Sequence, residues 1–227
     1  MSRISYYLNL LCLFAACWTC SLAAQEGNLD PFPPKIIAAR NPNSKPVSWT
    51  DLRSFLEADT ADQGTYKAHE YDCKNFSFEL FKHAQAKGIA CLVNLISFSE
   101  SNEGHALLEF PTSDQGTVFV DFTPIVTDEK QTPTKALVMV AQGRKFIRVP
   151  LSQVPSDFSN GIEFFDHYYE TQEKLAKAVA LIHEFQSTHQ DVSVAEKVKT
   201  AYLALKAYPQ SPFDWSGEFT VSRIYRW

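Results

Sequence analysis

The chain has 227 residues, a formal net charge of −5, 45% hydrophobic and 13% aromatic content. That much apolar and aromatic surface excludes a disordered chain, and the slight acidic excess removes the electrostatic footprint of a nucleic-acid-binding protein. The length suits one domain with a substantial core.

Residues 1–24, MSRISYYLNLLCLFAACWTCSLAA, place one basic residue before an apolar run and end in small residues. This is the pattern of a secretory signal peptide, with cleavage expected near Ala24. The apolar run is too short to span a bilayer, and no later segment reaches the roughly 18 apolar residues of a transmembrane helix. The expected protein is therefore secreted or periplasmic, with no transmembrane segment. FAAC at Phe14 to Cys17 approximates a lipid-attachment box and offers a lipid anchor at Cys17 as the lesser alternative. Cys12, Cys17 and Cys20 leave with the leader, so Cys73 and Cys91 remain.

Residues 25–47 are rich in proline and asparagine and read as an extended N-terminal arm, in preference to a propeptide. Ser48 then caps a short helix, WTDLRSFLEA, with Asp51 in the capping-box position. From Cys73, the residues Phe76, Ser77, Leu80 and Ala84 recur on one side of a second helix, while Lys74, Lys82 and Lys87 point outward. Gly88 suits its C-cap. The nearly continuous apolar IACLVNLISF reads as a central strand, HALLEF and TVFVDF as a hairpin, and ALVMVA with KFIRV as another. From about residue 166 the pattern turns helical, in LAKAVALIHEF and AEKVKTAYLALKAY, before an aromatic tail that packs back on the body. The expected organisation is a core over 48–165 followed by a helical C-terminal extension over 166–227.

Cys73 raises the functional question. Two cysteines in an exported protein invite a disulfide. The helix between Cys73 and Cys91, however, separates them by roughly 20 Å, whereas bridged Cα atoms lie within about 7 Å. A buried structural cysteine and a nucleophile both stay open. A helix N-terminus favours a thiolate, and the following hairpin supplies a base. If Phe110 pairs with Gly116, the same register sets His105 opposite Asp121, on one face with Cβ atoms about 5 Å apart. An aspartate inside TVFVDF is out of place unless something pairs with it, and a carboxylate on one imidazole nitrogen frees the other for a nucleophile's proton. Cys73, His105 and Asp121 are also metal-ligand types, without the CxxC or HxxxH framework of common metal sites. No metal or other cofactor is expected. His69, His83, His167, His183 and His189 have no partner spacing and read as surface residues.

The succession Cys73, helix, GIACLVNL, GHALLEF at 104–110 and VFVDFTP at 118–124 resembles the transglutaminase-like superfamily of papain-type cysteine enzymes. Asn75 and Ser77 depart from the acidic residue and alanine common near that family's cysteine, and the resemblance covers roughly residues 65–125. It implies an α+β fold in which a helix bearing the nucleophile packs on an antiparallel sheet bearing the histidine and aspartate. Cys73 is then the nucleophile, His105 the base and later acid, and Asp121 the residue that orients it. The implied activity is hydrolysis or acyl transfer at peptide or amide bonds through a thioester acyl-enzyme, with a protein or peptide substrate, of the cell envelope among others. The alternative is a non-catalytic protein-binding module on the same fold. Water as the second nucleophile makes a protease or amidase, and an amine makes a cross-linking enzyme. The sequon Asn75-Phe76-Ser77 falls inside the helix and is read as chance.

Overall fold

Antiparallel pairing joins strands whose side chains alternate between two covered faces, and the core of this protein is built on such a sheet. The computed structural model of the chain describes residues 39–126, 130–188 and 219–227, with side chains of the last long helix described as far as residue 180. All of these belong to one compact unit, Ile36–Trp227. The elements are α1 (Trp49–Ala58), α2 (Cys73–Ala86), β1 (Leu92–Phe98), β2 (Gly104–Pro111), β3 (Thr117–Asp121), β4 (Ile125–Val126), β5 (Gln131–Thr132), β6 (Ala136–Met139), β7 (Ile147–Pro150), α3 (Ile162–Thr188) and β8 (Val221–Arg226). Among the described residues, six strands form one antiparallel sheet in the order β7-β6-β3-β2-β1-β8, and β4 and β5 make a separate two-stranded ribbon. The α+β class expected from the sequence is the class observed.

The two N-terminal helices begin where side chains can satisfy the first free amides. Ser48 Oγ accepts from Asp51 N and donates to the Asp51 carboxylate. Asp72 caps α2 with a reciprocal box: its carboxylate accepts from Lys74 N, and Asn75 Oδ1 accepts from Asp72 N. Asn75 is thus committed to the cap, and in the adjacent sequon positions Phe76 and Ser77 are buried. α2 ends at a residue before Lys87, and Gly88 follows with φ of 73°, a left-handed value that glycine adopts without strain. Phe76, Leu80, Phe81 and Ala84 are fully buried, each large side chain contributing about 1.5–3 kcal/mol by leaving water, and α2 packs against β2 and β1.

The C-terminal region departs from the sequence expectation in two places. β8, in the tail, pairs with β1 as an edge strand, Ile96 opposite Ile224 and Leu95 opposite Tyr225. The C-terminal region is therefore not a purely helical extension: it returns a strand to the core sheet, and its long helix starts at Ile162 instead of 166. The second predicted helix, AEKVKTAYLALKAY, lies outside the described residues, as does the proposed leader. The described end of the N-terminal arm runs against the core, with Lys45 bridged to Ile89 and Val47 to Thr112. Arg144 holds the β6–β7 turn to α3 through both oxygens of Asp166 at 2.6 Å. No helix among the described residues is long and apolar enough to cross a membrane.

Candidate active site

The β2–β3 hairpin places a histidine and an aspartate on the same face, in a register two residues away from the predicted one. Phe110 pairs with Val118 and Leu108 with Val120, so the continuing ladder sets Asp121 beside Leu107. Asp121 also lies opposite Ala136. A shift of two residues preserves the side on which each side chain points, so His105 and Asp121 are diagonal neighbours, and their side chains close the gap. His105 Nε2 lies 2.8 Å from Asp121 Oδ2, with both groups buried. Gly104 precedes His105 because a Cβ there would stand 2.9 Å from the carbonyl oxygen of Ile96, on the neighbouring strand.

Asp121 is held from three directions. Thr123 N donates to its Oδ1 at 2.8 Å. Arg148 Nε lies 3.1 Å from Oδ2, and neither side chain has any exposed surface. Arg148 Nη2 donates in turn to Thr123 O at 2.6 Å. Arg148 lies on β7 opposite Val138, while Asp121 lies on β3 opposite Ala136, so the guanidinium reaches across β6 past the small Ala136. This arginine was not anticipated from the sequence. The signal was present, because KFIRV carries a charge in an apolar strand just as TVFVDF does.

Cys73 meets this pair from the first turn of α2. It is half-buried and unbridged, it lines the same cleft as His105, and its thiol adds to the groups that raise the imidazole; with Nε2 turned to Asp121, Nδ1 is the ring nitrogen that serves it. Cys91 is also a free thiol, buried beyond the far end of the helix, where Gln85 Nε2 donates to its sulfur at 3.3 Å. Burial pushes the Cys91 thiol up to about 12. The three residues singled out in the sequence are thus brought together, and the disulfide alternative is not formed.

The charges in the cluster alternate. Burial alone would lower the His105 pKa, but the Asp121 carboxylate outweighs it, with Cys73 adding to the same direction, and raises the imidazole to about 10. Burial would raise Asp121, and Arg148 and His105 instead hold its carboxyl well below the usual carboxylate range. His105 therefore contributes stability that is fully present below its unfolded value near 6.5 and is lost as pH rises through about 10. Asp121 contributes stability present above its unfolded value of about 3.9 and lost as pH falls further. We expect a urea midpoint that is flat between about pH 4 and 6.5, falls progressively from there towards pH 10, and falls again below about pH 4. In His105→Gln the alkaline fall should become shallower than in the unmodified chain.

A cleft of about 300 Å³ opens over Cys73 and His105, lined also by Tyr66, Phe98, Glu103, Thr123 and Phe219. Tyr66 N donates to Gln131 Oε1 at 2.7 Å, and the Tyr66 ring stacks on Phe76 at 6.4 Å. Burial raises the Tyr66 phenol, as do the charges at Cys73, Asp72 and Glu103, so it remains a hydroxyl donor. Tyr66 was likewise not anticipated from the sequence. Tyr71 packs edge-on against Phe76, and His69 is exposed in a turn with φ of 66°. His83 has a partner that its spacing did not betray, Asp59 Oδ2 at 2.8 Å from Nδ1, and His167 is exposed. The side chains of His183 and His189 lie outside the described residues. Among the described residues no group of three His, Cys, Asp or Glu side chains is arranged to hold a metal ion. Comparison with protein-family models, with curated proteins and with solved structures gave no match.

Proposed function

We propose that the protein is a cysteine hydrolase or acyltransferase of transglutaminase-like type, acting on peptide or amide bonds without a cofactor. The observation that carries this reading is the buried succession of His105, Asp121 and Arg148 in hydrogen-bond and ion-pair contact, with the half-buried Cys73 lining the same cleft as His105. A thiolate at Cys73 would complete an alternation of charge: sulfur negative, imidazolium positive, carboxylate negative, guanidinium positive. Residues 1–24 support an exported protein that meets peptides or proteins of the cell envelope.

In this mechanism the Cys73 sulfur attacks the scissile carbonyl carbon, and the carbonyl electron pair moves to oxygen. Two groups of the cleft would receive that oxyanion: the N–H of Cys73, which as a first-turn amide has no partner within the helix, and the hydroxyl of Tyr66, which lines the same cleft. His105 gives the proton on Nδ1 to the leaving amine as the C–N bond breaks, leaving a thioester. Water or a second amine then attacks the thioester, His105 takes its proton, and the acid or the new amide departs while Cys73 is regenerated. Asp121 keeps the imidazole oriented throughout. Arg148 keeps the carboxylate ionised.

Intact-mass measurement during turnover of a peptide library tests the reading. An acyl adduct on Cys73 that is discharged by water or by added methylamine is expected, the ratio of products separating hydrolysis from transfer. The absence of any adduct, together with amide cleavage no faster than in Cys73→Ala, would contradict it.

A further inference from the structure

The lining of the cleft also bears on which peptide enters it. Phe98 and Phe219 stand with ring centroids 5.1 Å apart, and Phe98 packs in turn on Phe146 at 5.5 Å. Phe98, Phe219 and Pro124 line the cleft that Cys73 also lines and give it an apolar wall. Thr123 lines the same cleft and is only 6% exposed, yet its Oγ1 has no hydrogen-bond partner. A buried hydroxyl left unpaired is destabilising, and a ligand amide would offset that cost. The third feature is Glu103. Its backbone N–H is tied to Ser101, but its exposed carboxylate has no ion-pair partner among the described residues, and no lysine or arginine lines the cleft.

Resting on the function proposed above, we propose that this cleft binds a peptide in which an apolar residue adjoins a cationic one: the apolar side chain on Phe98 and Phe219, a backbone amide on Thr123 Oγ1, and the ammonium or guanidinium on Glu103. The acidic balance of the whole chain, −5, adds a field of the same sign and favours encounter with a basic peptide.

Binding is measured by calorimetry in Cys73→Ala, so that it does not depend on turnover. The probes are three capped tetrapeptides, Ala-Phe-Lys-Ala, Ala-Phe-Gln-Ala and Ala-Phe-Glu-Ala, at low ionic strength. The lysine peptide should bind most tightly and the glutamate peptide most weakly, with about a tenfold span that narrows as salt is added, as for partly exposed charges. Adding Glu103→Lys should invert the order, and adding Thr123→Val should weaken all three alike. Equal affinities, a lysine preference that survives Glu103→Lys, or no binding of any probe at millimolar concentration would each overturn the substrate inference. Alkylation of Cys73 that depends on His105 would leave the cysteine-enzyme reading standing in any of those cases.

Discussion

Asp121→Asn will destabilise the fold by about 3–5 kcal/mol, the cost of stranding a buried charge, although the new side chain has almost the same shape. Arg148 has no exposed surface and lies 3.1 Å from the carboxylate. With an amide in its place, the guanidinium loses its carboxylate counter-charge while its bond to Thr123 O remains, and no solvent reaches it to compensate. His105 loses its charge partner in the same step. The double change Asp121→Asn with Arg148→Met removes the stranded charge and should recover most of the lost stability, because a methionine fills similar volume without desolvation cost. It should not recover activity, since His105 is still unoriented. Urea unfolding of the two variants beside the unmodified chain measures both effects, and a loss below about 1 kcal/mol in the single variant would show that the Arg148 contact is not the anchor argued here.

His105→Ala should behave in the opposite way, keeping the fold and losing the chemistry. Asp121 retains Arg148 and the Thr123 amide, so the structural cost is a lost hydrogen bond and a small cavity, roughly 1–3 kcal/mol. Amide turnover should fall about a thousandfold or more, because both the proton acceptor for the thiol and the donor to the leaving amine are gone. Far-UV circular dichroism and the urea midpoint report the fold, and kcat/KM on a peptide substrate reports the chemistry. A variant that unfolds, or one that keeps more than a tenth of the turnover, runs against the division of roles between His105 and Asp121.

How much of this was legible beforehand depends on the kind of signal. The α2 helix could be read because Phe76, Ser77, Leu80 and Ala84 repeat at helical spacing, and all four are buried as that pattern requires. The pairing of His105 with Asp121 was legible in side but not in register. Gly116 was taken as a strand residue opposite Phe110. Its φ of 67° places it in the turn, where its carbonyl accepts from Thr112 N at 2.7 Å, so β3 begins one residue later and each partner moves by two. The site survived because strand alternation has a period of two. Arg148 and Tyr66 were beyond the same reasoning, since each joins the site through elements far apart in sequence: Arg148 across three strands, Tyr66 through a clamp by Gln131. The edge strand β8 was hidden for a related reason, as its partner β1 lies more than a hundred residues upstream.

The central claim is that His105 serves Cys73, and the rate of Cys73 alkylation by iodoacetamide across pH 5–9, located by peptide mass mapping, tests it most directly. Cys91 is 5% exposed and should label slowly throughout, giving an internal reference. The account predicts that Cys73 in the unmodified chain is already labelled rapidly at pH 6 and that the rate changes little up to pH 8, whereas in His105→Ala it is slow at pH 6 and climbs steadily with pH. Identical profiles in the two proteins, both slow at pH 6, would contradict the claim and leave Cys73 a half-buried thiol beside a structural ion pair.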